Sequence, residues 1–308
     1  MVGLRFAVLA LVLAPSLGLA QAQRPPTESV TVTGTKSREV IQGFVQSFTA
    51  PTRLTGKVAR WGSGICPVTV GLPPQFAKFI NQRLKDIASQ AGAPVSGRMS
   101  CTPNIAVVFS TAPQKLLDDM SRKQPDLLGY YDNSTQLAAL ATVTHPIQAW
   151  YMTATRDVQG GFQIDNAKPA GLINKMEFPC DICPGGKIEL YPPRVAATTG
   201  SRLGDGLRSE LYNVIIVADP AKLVSYEIGS LADYIAMLAL TQIVSLDTCR
   251  PLPSIVNMLA GGCEAKTDGL TENDRAYLHG LYKAAPDQSL RIQQDQMAYQ
   301  MEQELKGK

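Results

Sequence analysis

The stretch 211–243, LYNVIIVADPAKLVSYEIGSLADYIAMLALTQI, restricts the possible folds more than any other part of the chain. Residues 212–218 are apolar except for Asn213 and are closed by Asp219-Pro220. A run that short reads as a strand, and one without polar alternation is buried on both faces. After a short linker, residues 230–244 set Leu231, Ile235, Met237, Leu238, Leu240 and Ile243 nearly all round a helix, with Asp233, Tyr234, Thr241 and Gln242 as the polar exceptions. A helix without a polar face belongs inside a protein. The core is therefore expected here, as a central strand followed by a buried helix. Ser230 is placed to cap that helix and Asp233 stands three residues on, so Asp233 is expected to close a capping box and to favour the helix dipole.

The elements on either side extend this pattern. Residues 75–91 carry Phe76, Phe79, Ile80, Leu84, Ile87 and Ala88 at helical spacing, with Pro74 suited to the first turn and Gly92 to the stop. Residues 104–110, NIAVVFS, predict a second strand buried on both faces, and residues 113–122 a helix capped by Ser110 or Thr111. Helix, strand, helix is the order of an α/β or α+β layer. Upstream, residues 39–48 predict a short helix with Val40, Ile41, Phe44, Val45 and Phe48 on one side. Trp61, between Arg60 and Gly62, can line a groove, but filling a core is the more frequent role of tryptophan.

Further along, residues 68–71 and 188–191 read as short strands and residues 147–155, IQAWYMTAT, as a longer one. Residues 137–144 fit either helix or loop, 157–170 a hairpin turn or long loop, and 196–209 a mobile loop. Asn133-Ser134-Thr135 matches a glycan acceptor, a match short enough to arise by chance. Thr271, with Asp274 at the third helical position and Leu270 before it, predicts a capped and stapled helix. Residues 290–305 predict a polar closing helix with a sparse stripe of Ile292, Met297, Met301 and Leu305, which can pack on the body or meet a partner. Neither a repeat nor an interdomain linker is visible, so residues 38–308 are expected to form one domain of the α+β class, a mixed sheet packed on the central helix.

The amino terminus predicts export. Arg5, the apolar run 6–14 and the small-x-small triplet Ala20-Gln21-Ala22 (or Gly18-Leu19-Ala20) have the form of a signal peptide over residues 1–22. Pro15, Ser16 and Gly18 interrupt a run already short for a membrane anchor. Residues 23–37 are polar and rich in Thr, Pro and Gly, which predicts a disordered leader, although Val30 and Val32 alternate with Thr as in a short edge strand. No later segment is long and apolar enough to span a bilayer, so the protein is expected to be periplasmic or secreted without an integral membrane segment. The formal charge of +3 is spread along the chain without a basic stripe, which argues against nucleic acid as a partner.

Six cysteines in an exported chain favour disulfides. Proximity pairs them as Cys66–Cys101, Cys180–Cys183 and Cys249–Cys263. Cys180-Asp181-Ile182-Cys183 also has the spacing of an exchange-active pair, but Pro184 and Gly185-Gly186 break any helix that would lower a thiol pKa there, which favours a stapled loop.

Familiar active sites are missing. The only histidines, His145 and His279, lie in different elements. No HExxH, nucleophile elbow, P-loop or dinucleotide fingerprint occurs, so neither a metal nor a cofactor is expected. His145 precedes Pro146 at a strand start and can act as a base, but no Ser or Cys nucleophile stands out near it; His279 is read as solvated or capping.

With these elements placed, a resemblance can be stated. A strand at 213–218, a helix at 230–243, the phrase SIVNML at 254–259 and the ending LTENDRAYLHGLY at 270–282 resemble, in order, the strand, active-site helix, methionine turn and last helix of zincin metallopeptidases. They are most similar to the metzincin-like domains of exported alphaproteobacterial proteins. The resemblance implies a single zincin-like domain, disulfide-braced. It does not imply the activity, because the positions of the motif's first His, Glu and second His hold Asp233, Tyr234 and Met237. Met237 is a poor zinc ligand, and Tyr234 cannot replace a glutamate that deprotonates zinc-bound water. The expectation is a non-catalytic binding or envelope-associated protein. Two alternatives stay open: a hydrolase built from Asp233, Tyr234 and His145, and an interaction protein that uses its C-terminal helix to hold an unknown protein or envelope partner.

Overall fold

From the amino end the chain forms α1 (Arg38–Phe48), β1 (Pro67–Val70), α2 (Pro74–Ala91), β2 (Ile105–Phe109), α3 (Pro113–Lys123), α4 (Ser134–Leu140), β3 (Ile147–Arg156), β4 (Phe162–Ile164), β5 (Met176–Pro179), β6 (Lys187–Leu190), β7 (Arg208–Ala218), α5 (Ile228–Leu240), α6 (Glu272–Lys283) and α7 (Leu290–Lys306). The structure is a computed structural model, and it describes residues 38–98, 100–165, 176–179, 187–190 and 204–307. The expected signal peptide, the leader, the Cys180–Cys183 staple and most of the 196–209 loop lie outside the described residues.

A mixed sheet runs in the order β1-β2-β7-β3-β4. β1, β2 and β7 are parallel, with Ile105 opposite Pro67 on one side and Val214 on the other. β3 then pairs antiparallel with β7 and β4 antiparallel with β3, with a register shift between Met152 and Thr153. β5 and β6 form a separate antiparallel pair, of which only the second strand is legible in the sequence.

β7 explains its own composition. Val214, Ile216 and Ala218 enter the larger apolar cluster, while Ile215 and Val217 enter a smaller one on the opposite face with Trp150, Leu117, Leu128 and Ala141. Both faces are covered, so the strand needs no alternation. It begins at Arg208 rather than at 212. Glu210 is buried on it and accepts from Arg208 Nε (2.9 Å) and from Arg156 Nε on β3 (3.1 Å). Side-chain ion pairing thus carries the strand through residues whose polarity hides them from a hydrophobic pattern.

α5 is buried from Ser230 to Leu240, against β7 and β3 on one side and α2 on another. It starts two residues before the expected Ser230 cap and stops at Leu240. The capping box expected at Ser230 is absent: the N-cap is Glu227, Ser230 Oγ donates to Asp268 O (2.5 Å), and Asp233 bonds elsewhere. The box at Thr271 and Asp274 is present. Asp274 also accepts from Ser254 Oγ (2.5 Å) and Ile255 N (2.9 Å), so the cap of α6 anchors the single helical turn at Ile255–Met258 that packs on α5. Burial pushes the Asp274 carboxyl above the usual range, against four donors that favour its charged form.

Two corrections concern aromatic and aliphatic residues expected inside. Phe76 and Phe79 are 39% and 44% exposed. At about 100° per residue, Ile80, Leu84, Ile87, Ala88 and Ala91 fill one arc of α2 that faces the core, and the two phenylalanines fall beyond its edge. Val40 is likewise outside the arc of Ile41, Phe44, Val45 and Phe48 on α1. Of the segment 137–144 left open between helix and loop, residues 137–140 join α4, whose cap is Asn133, accepting from Gln136 N (3.0 Å), and residues 141–144 are turn and loop.

The described fold is one mixed α+β domain braced by Cys66–Cys101 and Cys249–Cys263, with Cα separations of 6.0 and 5.5 Å. Trp61 is core, its Nε1 donating to Ala239 O (2.8 Å). Met297 and Met301 of α7 are fully buried, so the middle of the closing helix's apolar stripe is spent inside the body, while Leu305 is half-buried and Ile292 is 37% exposed. Among the described residues no helix is long and apolar enough to cross a membrane.

Candidate functional site

A lone carboxylate on an apolar helix must find a partner, because an unpaired buried charge is costly. Asp233 finds Arg83 on α2. The contact is two-pronged: Nε to Oδ1 at 2.6 Å and an Nη to Oδ2 at 3.0 Å. Leu270 N donates to Oδ2 as well (2.9 Å). The Asp233 side chain is 7% exposed and that of Arg83 36%. The hydrogen bond that Arg83 donates to Asp233 holds its guanidinium above the ordinary pKa.

This pair floors a cleft of about 410 Å³ between α2 and the start of α5, lined also by Phe79, Asp86, Glu227 and Asp268. A second cleft, of about 600 Å³, lies on the other side of α2 against the end of β1, lined by Val70, Leu72, Ala77, Lys78, Asn81 and Lys85. Gln82 lines both. Helix spacing accounts for the separation: Lys78 and Lys85 fall on one flank of Gln82, Phe79 and Asp86 on the other.

The other residues named from the sequence are elsewhere. Tyr234, next to Asp233 on α5, is turned into the core, and burial pushes its hydroxyl far above the ordinary range. Met237 is fully buried. His145, at the start of β3, holds Asp247 through Nε2 (3.0 Å) and Thr144 Oγ through Nδ1 (2.7 Å). Thr144 Oγ also contacts Gln148 Oε1 (3.1 Å), and Asp247 stands exposed. So Asp233 is tied to Arg83, Tyr234 faces the core and His145 serves a surface chain; no hydrogen bond joins the three. His279 bridges Glu304 Oε2 on α7 (2.8 Å) and Gln90 O at the end of α2 (2.5 Å), a connection between three helices that the sequence does not show.

The triplet aligned with a zinc motif does not fit the ion. Both Asp233 oxygens are engaged, Tyr234 is buried with its proton on, and Met237 offers only a thioether. Among the described residues no three His, Cys, Asp or Glu side chains gather closely enough to hold a metal.

Arg83 is the site residue that the sequence leaves unnamed. The signal was there in the isolation of Asp233, but the partner lies on another helix, 150 positions away. Replacing Arg83 by Met is expected to cost about 2 kcal/mol, between the values for exposed and buried ion pairs. Arg83→Met combined with Asp233→Asn should recover most of that loss, since the amide still accepts from Leu270 N. Urea denaturation of the four proteins in a double-mutant cycle measures the coupling, and strictly additive losses would show that the pair carries none. No family model, curated protein or solved structure matches this chain.

Proposed function

We propose that this is an exported, non-catalytic protein of zincin-like fold that acts by binding, within or at the cell envelope. The order of parts supports the fold: β7 leads to the buried helix α5, the turn at Ile255–Met258 packs beneath it, and the boxed helix α6 follows. The observation that carries the loss of catalysis is the state of α5. Its one carboxylate is neutralised by Arg83 and held by Leu270 N, and its neighbours at the motif positions are packing residues. A helix that positioned a metal and a base would keep those side chains free to face a substrate. The disulfides suit an oxidising compartment.

The test uses the full chain expressed with its own amino terminus and recovered from the periplasm. Its mature sequence is expected to begin at Gln23. After incubation with zinc and dialysis, elemental analysis is expected to find no stoichiometric metal, and a mixed peptide library should remain uncut. About one equivalent of zinc that disappears in Asp233→Ala, or peptide cleavage that a chelator stops, would overturn the proposal. Recovery of uncleaved chain from the cytoplasm would overturn its export.

A further inference from the structure

The two clefts flanking α2 carry opposite charge, and each has its own exposed apolar residue. On the β1 side the only charged lining residues among the described ones are Lys78 and Lys85, beside Val70, which is 48% exposed. Among the described residues neither lysine is in an ion pair. On the α5 side stand the carboxylates Asp86, Glu227 and Asp268, beside the exposed Phe79, and the one cation there among the described residues, Arg83, is spent on Asp233. We infer that the occupant of this face is a second copy of the same chain, joined through α2 in a twofold dimer.

Symmetry applied to charge selects this occupant. A closed dimer uses one patch twice, so the patch must be complementary to itself. Here it is, in one arrangement only. With the twofold axis along α2, each copy's lysine flank lies over its partner's carboxylate flank, Val70 comes over the partner's Phe79 side, and the contact occurs twice. With the axis across α2, lysines would face lysines and carboxylates would face carboxylates, which costs rather than gains. The helix axes are therefore parallel in the dimer. A partner of one charge, such as an acidic peptide, would satisfy the lysine groove and leave the carboxylate cleft and Phe79 unexplained; a second copy uses both. Aromatic side chains rimmed by charge are also what interface centres are made of. The contact does not depend on the catalytic status of α5.

The mature protein at micromolar concentration and low salt is expected to sediment at twice the monomer mass, and to dissociate as salt is raised. Lys78→Glu/Lys85→Glu should weaken association by at least about tenfold, and so should Asp86→Lys/Glu227→Lys/Asp268→Lys. Mixed in equal amounts, the two variants should form a heterodimer, because the reversed charges then face each other across one of the two seams. Lys78, Asp86, Glu227 and Asp268 are exposed and Lys85 is half-buried, and circular dichroism checks that each variant keeps its fold. A wild-type protein that stays monomeric at low salt, or a dimer whose affinity neither set of reversals changes, would overturn the inference; an acidic peptide that binds the monomer and is lost in Lys78→Glu/Lys85→Glu would replace it.

Discussion

Arg250→Ala is expected to destabilise the domain by about 3 kcal/mol. Arg250 is buried beside the Cys249–Cys263 loop. Its Nη atoms donate to Ser47 O and Ser245 O, both at 2.6 Å, and its guanidinium lies 4.5 Å over the ring of Phe48. The residue thus ties the end of α1 to the segment after α5. Burial pulls its pKa below the ordinary arginine value; the two carbonyls and the ring offset part of the missing hydration, while Nε is buried without an acceptor among the described residues. Removing it strands two carbonyl oxygens, and each buried acceptor without a donor costs about 1–3 kcal/mol. Arg250→Met keeps the stem and loses the donors. It should recover less than half of the loss, and Arg250→Lys should do little better, since one ammonium cannot reach both oxygens as the planar fork does. Urea unfolding with matched slopes measures the differences. A loss below about 1 kcal/mol for Arg250→Ala would mean that water enters and satisfies the carbonyls.

Gly71→Ala is expected to cost more still, about 3–5 kcal/mol, through the backbone rather than through a lost contact. Gly71 closes β1 with φ +83°, and a Cβ there would stand 2.0 Å from the carbonyl oxygen of Phe109. The left-handed conformation alone costs an alanine about 1–2 kcal/mol. The overlap adds the larger part, because the obstacle is main chain at the end of β2 and cannot swing aside. β1 would have to part from β2, which also opens the lysine cleft. The control is Gly43→Ala on α1, where an added Cβ meets nothing within 4 Å. There the helix preference of alanine should stabilise by about 0.5–1 kcal/mol. Thermal and urea unfolding of both variants gives the contrast, and equal effects at the two sites would refute the backbone account.

Much of the fold was legible because burial on both faces leaves an unambiguous pattern. The runs IAVVF and VIIVA are apolar without alternation, and they pair as the two inner parallel strands. The helix after Gly229 is apolar all round, and it is buried. Thr271 and Asp274 are three residues apart, so their cap is a local matter that the sequence states outright. Ser230 and Asp233 have the same spacing and failed as a cap, because a better offer came from outside the helix. Arg83 supplies two charged hydrogen bonds to Asp233, worth more than one main-chain donor in the first turn. Phe76 and Phe79 stay exposed for a related reason. Apolar character marks them for burial, but only the width of the α2 contact with the core decides how many positions it can cover.

The sequence by itself determined the strand and helix at the centre, the α+β class, two of the disulfide pairs and the absence of the familiar catalytic signatures. All of these follow from residues close together in the chain or from the burial pattern of a single element. Only the tertiary structure decided that Asp233 is held by Arg83, that Tyr234 and His145 are apart from it, that Met297 and Met301 are spent in the core, and that α2 presents lysines on one flank and carboxylates on the other. Each of these joins groups from different elements. Nothing local ranks one distant charge or apolar surface above another until the packed sheet and helices bring them within reach.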